Sequence, residues 1–275
     1  MKRALTTSLA AAVMVMSVGV SGQAQGPGQG AGHGVALALL TGAMSQAQPT
    51  APGPTTRSQV TLVRVKPDML NEWLDLQKNE QIPAQKKGGV TTRTTLQTAI
   101  GNGFEFAIIT PFPSFGALDE QNPVQKALGT EAAARLAAKI RKCIDTQRNY
   151  LITRADDLRI PEGDAVAMRT SVVHVAAGKQ GDYLNYIRTE VLPAMKKAKA
   201  AGKIAGYNVS TRGIGSQAGE ITTTTYYSKF ADIEQGSPVV QVLGQAAADA
   251  ITAKGNALAS PVQVIIRRRV ADLRF

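Results

Sequence analysis

The sequence predicts an α+β fold in which two tandem ferredoxin-like (βαββαβ) repeats form an intramolecular dimeric α/β barrel. Two observations support this prediction. Residues 115–160 align without a gap with residues 230–275, and residues 60–87 align with residues 170–197. Each aligned half also shows the order of strands and helices that defines the ferredoxin-like unit. Helices cover only one face of such a sheet, so we expect the second copy to bury the other face.

The elements of the first half follow from its residue patterns. Alternating β-branched residues predict a first strand over 59–65. Asp68 follows a proline and is the predicted N-cap of the next helix. Apolar residues at helical spacing predict a second helix from about Thr130 to Ile144. Further strands are predicted at 91–98, 104–110 and 148–154, the first two joined by a hairpin at 101–103.

The second half repeats this order. Its strands are predicted at 169–175, 207–212, 220–227 and 262–268. Trp73 of the first half and Tyr183 of the second occupy the same helix position. We interpret both as core residues, because aromatic side chains at helical spacing most often pack in the core. The two repeats are therefore expected to span 58–160 and 165–275.

The N-terminus has the pattern of an export signal. Lys2 and Arg3 precede an apolar run over 9–20, and small residues follow up to Ala24. We predict a signal peptide over 1–24 and a periplasmic or extracellular protein. A retained membrane anchor is the alternative, but the run is shorter than the roughly 20 apolar residues that a spanning helix needs. Residues 25–57 are rich in Gly, Gln, Pro and Ala and are predicted to form a disordered spacer.

Charge and cysteine content narrow the range of partners. The formal net charge is +11, which favours anionic neighbours such as an envelope polymer or an anionic ligand. No nucleic-acid-binding motif occurs, so no nucleic-acid partner is predicted. The single cysteine, Cys143, excludes an intramolecular disulfide. We expect a monomer with an internal pseudo-dimer and no stable membrane span after cleavage.

Arg64 and His174 occupy the same position on the first strand of each half. If the even-numbered residues of that strand face the barrel, both side chains enter one cavity from opposite sides. A polar pair in an apolar cavity is a candidate catalytic or ligand-binding site. The alternative is that both residues are solvated or hydrogen-bonded near the strand end, since a histidine without a partner is a weak signal.

The third strand of each half supplies further candidates. Glu105 and Glu220 open these strands and could act as acid and base if a cavity separated their pKa values. The alternative is a pair of hairpin charges. In the second half, one face of the strand presents Thr223, Thr225 and Tyr227, whose hydroxyls suit a small polar or aromatic ligand. Strand propensity alone is the alternative explanation.

Several motifs are absent from the sequence. It contains no G-x-S-x-G, so a hydrolase nucleophile elbow is not supported. It also contains no H-E-x-x-H motif and no cluster of Cys and His, so no metal site is predicted.

Two stretches of the first half resemble a known group of proteins. "LVRVKPDMLNEWLDLQKNEQIPAQKKGG" and "FGALDEQNPVQKALG" look like the dimeric α/β barrel superfamily, which includes antibiotic-biosynthesis-monooxygenase-like and NIPSNAP-like domains. More narrowly, the chain is similar to exported bacterial proteins of unknown function. The superfamily includes cofactor-free oxygenases, haem enzymes, isomerases and non-enzymatic ligand binders, and a fold does not identify a function.

Three functional hypotheses result. The first is an exported protein that binds a small ligand in the barrel without catalysis. The second, implied by the resemblance, is a cofactor-independent or haem-linked monooxygenase-like oxidoreductase that uses His174 or Arg64. The third is a basic module that binds an anionic envelope polymer. No cofactor is predicted from the residues, and haem enters only through the resemblance.

Overall fold

Eight antiparallel strands close into one barrel in the part of the chain that the computed structural model describes, residues 56–275. The strand order is β1-β3-β2-β8-β5-β7-β6-β4. The strands are β1 (Thr56–Val65), β2 (Thr94–Ile100), β3 (Glu105–Pro111), β4 (Ile144–Arg154), β5 (Ala167–Val175), β6 (Gly206–Arg212), β7 (Glu220–Tyr227) and β8 (Ala259–Arg269).

The barrel closes through two pairs of strands that join the halves. β2 pairs with β8, and β4 pairs with β6, both antiparallel. The predicted α+β class and the dimeric α/β barrel architecture are therefore confirmed at the level of a closed eight-stranded antiparallel barrel. The predicted signal peptide and spacer lie outside the described residues, except that Thr56 and Arg57 already belong to β1.

The helices lie between the strands in the order that each half was predicted to have. The first half contains α1 (Leu70–Leu76), α2 (Ile82–Lys87), α3 (Pro123–Leu128) and α4 (Thr130–Lys142). The second half contains α5 (Gln180–Tyr186), α6 (Leu192–Ala200), α7 (Ala231–Glu234), α8 (Pro238–Leu243) and α9 (Gln245–Asn256). None of the helices in residues 56–275 is long and apolar enough to cross a membrane.

A wide π-helical turn joins α1 to α2 and another joins α5 to α6, over Gln77–Gln81 and Ile187–Val191. Each turn lies just before a proline, Pro83 or Pro193, which has no backbone N–H to donate. A proline inside a helix would ordinarily kink or end it. The wider turn instead lets the helical path continue past each proline, which keeps the side chains on both sides of the turn against the same sheet.

Two helix boundaries differ from the prediction. Asp68 lies in a short 3₁₀ turn, Pro67–Met69, and α1 begins two residues later without a side-chain cap. Ile144 begins β4 instead of ending the preceding helix, because the chain turns at Cys143 directly into the strand. Burial raises the pKa of the Cys143 thiol, which fits its place in the core.

The barrel interior is filled with side chains. An eight-stranded barrel is just wide enough for side chains to fill. Buried residues from both halves meet in it: Val60, Leu62, Leu96, Ala107, Tyr150 and Met168. Two further cores lie outside the barrel, one between each half's sheet and its own helices. The ligand site that we predicted inside the barrel is therefore occupied by core residues.

Candidate functional site

A cavity of about 830 Å³ lies outside the barrel, between the outer face of β1 and β3 and the helices of the first half. Its volume falls within the range of small-molecule sites. Aromatic, amide and cationic side chains surround it, including Trp73, Gln77, Gln81, Gln85, Arg93 and Phe112. The three glutamines lie four residues apart on the wide turn and α2, so the same side of the helical path presents all of them.

Arg93 is the only charged residue of this cavity that is buried, with 1% of its surface exposed. Its two terminal nitrogens donate hydrogen bonds to Gln77 Oε1 and Gln85 Oε1, each at 2.7 Å. Its Nε donates to Thr95 Oγ1 at 3.2 Å. Within the described residues no carboxylate forms an ion pair with it. The cation is thus buried among neutral partners.

The electrostatic consequence is a site that favours an anion. Burial lowers the pKa of Arg93 to about 10, and the guanidinium therefore stays protonated at neutral pH. Because this pKa is below the ordinary arginine value, burying the charge lowers the free energy of unfolding at every pH below about 10. This cost decreases only as the pH rises above about 10 and Arg93 loses its proton in the folded protein. A buried charge without a counter-ion destabilises a protein, so a bound anion would remove that cost.

Trp73 supplies a second donor without a partner. Its side chain is fully buried and lines the cavity, and its indole Nε1 has no hydrogen-bond partner among the described residues. The ring packs against Phe106 with centroids 4.5 Å apart, which fixes its orientation. This packing agrees with the prediction that Trp73 is a core residue. Buried indole N–H groups usually find an acceptor, and this one has none among the described residues.

The hydrogen-bond chemistry makes the site rich in donors. A guanidinium can only donate, so Gln77 and Gln85 direct their amide oxygens towards Arg93. Both amide oxygens are then occupied, and both NH₂ groups remain available as donors. With the indole of Trp73, these groups suit a ligand that offers several acceptor oxygens.

The C-terminal segment of the chain orients Arg93. Thr95 is fully buried and donates its hydroxyl to the carbonyl of Leu273 at 2.7 Å, which leaves the oxygen free to accept from Arg93. The backbones of Arg93 and Phe275 also exchange two hydrogen bonds, at 2.8 and 3.1 Å. A segment from the second half therefore holds the cation of the first half's cavity in place.

Thr95→Val should weaken ligand binding while the protein stays folded. Val has the shape of Thr but cannot accept from Arg93, so the guanidinium loses one of its three anchors. We expect an affinity loss of about five- to ten-fold, equivalent to about 1–1.5 kcal/mol. Titration with the aromatic anion 8-anilinonaphthalene-1-sulfonate would measure it. Thr95→Ser retains the hydroxyl and should bind like the parent; equal loss in both variants would contradict the positioning role.

The second half has no counterpart to this polar site. Tyr207 exchanges backbone hydrogen bonds with Ile160 just as Arg93 does with Phe275, so the two positions match. The residues aligned with the three glutamines are Ile187, Val191 and Met195. Ile187 and Met195 belong to the outer core of the second half, and Val191 packs against it. The same core contains Tyr183, Tyr207 and Tyr227. Apolar side chains therefore occupy the space that is polar and open in the first half.

Arg64 and His174 do not meet in a cavity. Arg64 lies at the exposed end of β1, with its Nε 3.5 Å from Asp145 Oδ2 and its side chain 55% exposed. His174 lies at the other half's strand end, beside Gly219, and its buried Nδ1 has no partner among the described residues. Neither residue lines the cavity of the first half. The structure thus places both at strand ends, which was the alternative that we weighed.

Glu105 and Glu220 lie inside the barrel, each beside an arginine. Glu105 Oε1 accepts from Arg267 at 3.2 Å, and Glu220 Oε2 accepts from Arg212 at 3.2 Å. The guanidinium of Arg212 also lies 4.9 Å from the ring centre of Tyr150, a core residue of the interior. The two carboxylates therefore act as counter-ions for buried arginines, and neither reaches the cavity.

Thr223, Thr225 and Tyr227 lie on the helix side of β7. Tyr227 and Ile221 belong to the outer core of the second half, and alternation along the strand places the two threonines on the same face. The prediction that these hydroxyls line a ligand site differs from the structure, because aromatic side chains fill that space.

The residues present fit neither a metal ion nor a haem in this cavity. Among residues 56–275, no three His, Cys, Asp or Glu side chains are grouped to hold a metal ion. Haem iron in proteins is bound by His, Cys, Met or Tyr. The residues that line the cavity in the described part of the chain include none of these four types. The cavity therefore does not fit a haem with a protein axial ligand.

Solved structures share this fold. A candidate monooxygenase from Lactobacillus acidophilus is 14% identical, with a TM-score of 0.50 over 80% of this chain and 96% of its own. An anthrone oxidase-like protein is 11% identical, with a TM-score of 0.54 over 80% and 93%. A candidate monooxygenase from Fusobacterium nucleatum is 12% identical, with a TM-score of 0.51 over 79% and 93%. No family model and no curated protein matches the sequence. At these identities the likeness shows the fold alone.

Proposed function

We propose that the protein binds a polycyclic aromatic anion in the cavity of its first half and oxidises it with O₂ without a metal or organic cofactor. The buried cation of Arg93, which has only neutral partners and lines the same cavity as Trp73, is the observation that supports this most directly. The likeness in fold to monooxygenase-like and anthrone oxidase-like proteins supports the reaction class.

An anthrone-type substrate illustrates the chemistry. The methylene group between its rings loses a proton to give an electron-rich anion whose charge resides mainly on the ring oxygen. That anion transfers electrons to O₂. One oxygen atom becomes the new ring carbonyl and the other leaves as water, so CH₂ and O₂ give C=O and H₂O. No further oxidant or reductant is needed.

The side chains of the cavity would act on the first step. Arg93 and Trp73 donate to the oxygen that becomes negative, and fixed donors of this kind stabilise developing charge in a site that excludes water. The only carboxylate lining the cavity is Glu120, which is ion-paired with Lys126 at 2.5 Å and 62% exposed. With no buried base available, the substrate must be acidic enough to lose its proton to water or buffer.

Oxygen uptake with 1,8-dihydroxyanthrone tests the proposal. The purified protein, treated with a metal chelator, should consume one O₂ for each anthraquinone formed, faster than the spontaneous reaction. Arg93→Met should lose most of this acceleration, while Ile187→Val, a conservative change in the second half, should not. Equal rates for the parent, Arg93→Met and buffer alone would exclude the reaction.

Binding without catalysis is the second candidate, because the cavity lacks a buried base. In that case the protein would bind 1,8-dihydroxyanthraquinone but leave the anthrone rate unchanged. We also propose that the chain is exported and that its halves are tandem ferredoxin-like repeats, on the strength of the N-terminal apolar run and the two aligned stretches. Mass determination of the mature chain from its host would test export.

A further inference from the structure

We infer that Phe115 and Leu118 close over the ligand and set its apolar contact, an inference that rests on the ligand class proposed above. Both residues lie on the segment 112–122, which links β3 to α3 and forms one wall of the cavity. Phe115 is 48% exposed and Leu118 is 67% exposed. Leu118 lines the cavity and is largely exposed, and Phe115 lies half exposed against Phe112, which also lines the cavity.

In the second half, the matching segment packs over a filled core. Phe230 and Ile233 align with Phe115 and Leu118 in the sequence, and both pack against the outer core of the second half. There the space beneath the segment holds Tyr207, Ile187 and Met195, at the positions that Arg93, Gln77 and Gln85 occupy in the first half. In the first half the same space is the cavity. The difference in exposure therefore follows from the missing apolar surface beneath the segment.

Few bonds hold the segment in its open position. Between residues 114 and 119 its backbone hydrogen bonds are local, from Ala117 N to Ser114 O at 3.3 Å and from Asp119 N to Gly116 O at 3.1 Å. The two ends are anchored, by Phe112 N donating to Arg57 O at 3.1 Å and by the ion pair of Glu120 with Lys126. Phe115 touches Phe112 edge-on, with ring centres 5.2 Å apart, and Phe112 is buried. Phe112 thus provides a fixed end, from which the exposed part of the segment can move inward.

A planar aromatic ligand would supply the missing surface. It would lie beside Arg93 and the glutamines, where the second half has Tyr207, Ile187 and Met195, with its oxygens at Arg93 and Trp73 and its apolar face towards the segment. Leu118 and Phe115 would then be buried against it. Removing apolar area from water favours this closure, and the size of the ligand's rings would determine how much area is removed.

Hydrogen exchange with 1,8-dihydroxyanthraquinone tests the closure. At ligand saturation, amides of 113–121 should exchange at least about five-fold more slowly, while those of the matching segment 228–237 should not change. Leu118→Ser should lower the affinity about ten-fold. Ile233→Ser, the matched control, should lower the Tm but leave the affinity within about two-fold.

Each outcome tests a different part of the proposal. Binding with unchanged exchange in 113–121, or equal affinity losses in Leu118→Ser and Ile233→Ser, would overturn the closure alone. Binding and closure without oxidation would remove the proposed reaction and leave the closure intact. No change in Trp73 fluorescence at saturating quinone would overturn the closure together with the ligand class.

Discussion

Arg93→Met should make the protein more stable and its binding much weaker. The free energy of unfolding should rise by about 1–3 kcal/mol, because the variant no longer buries a cation without a counter-ion. Affinity for 8-anilinonaphthalene-1-sulfonate should fall about 10- to 100-fold, the size of one to two hydrogen bonds to a charged group. Urea unfolding and a fluorescence titration of the same samples would measure the two effects.

The opposite signs of these two effects make the prediction specific. Arg141→Met, which removes an exposed charge from the last turn of α4, should change neither quantity by much, since surface changes stay within about 0.5 kcal/mol. If Arg93 had only a structural role, its replacement would instead lower stability, because Gln77 and Gln85 would lose their partner. A less stable Arg93→Met that still binds the dye would contradict the account.

A replacement that copies the second half at four positions should close the cavity. Gln77→Ile, Gln81→Val, Gln85→Met and Arg93→Tyr introduce the residues found at positions 187, 191, 195 and 207. Arg93 is replaced as well, because Gln77 and Gln85 are its acceptors and their loss would leave a buried cation without partners. We expect a rise in Tm of several degrees, since about 1 kcal/mol shifts the Tm of a domain of this size by about 2–4 °C. Ligand binding should be lost, because the donors disappear and apolar side chains fill part of the space.

The reverse replacement is the matched control. Ile187→Gln, Val191→Gln and Met195→Gln place three amides in a core that offers them few partners. This variant should lose about 3 kcal/mol or more of stability. It should gain no binding, because position 207 holds a tyrosine instead of an arginine. Similar behaviour of the four-residue variant and this reverse variant would mean that the halves do not differ in the way the structure indicates.

The sequence predicts the architecture well because the fold depends on patterns that repeat. Each half contains its own alternating strands and periodic helices, and a one-sided sheet needs a partner. The barrel order and both pairs of closing strands agree with that reasoning. The helix boundaries were less predictable, because the wide turns before Pro83 and Pro193 leave no distinct residue signal.

The site was less predictable because its position depends on packing between elements. We expected the cavity inside the barrel, yet an eight-stranded barrel is filled by its own side chains. The parity of β7 was also ambiguous from sequence, and the structure turns Thr223 and Thr225 towards the helices. One signal was present but not used: glutamines at 77, 81 and 85 face Ile, Val and Met in the alignment of the halves. That polar stripe marks the half with the open cavity.

Titration of 1,8-dihydroxyanthraquinone against Trp73 fluorescence tests the central claim most directly. Trp73 is the single tryptophan of the chain and lies in the cavity, so its emission reports this site alone. We predict saturable quenching with a Kd of about 1 μM or tighter, equivalent to about −8 kcal/mol, and at least a ten-fold weaker Kd in Arg93→Met. Quenching that never saturates, or the same Kd in Arg93→Met, would show that the cavity is not a site for aromatic anions.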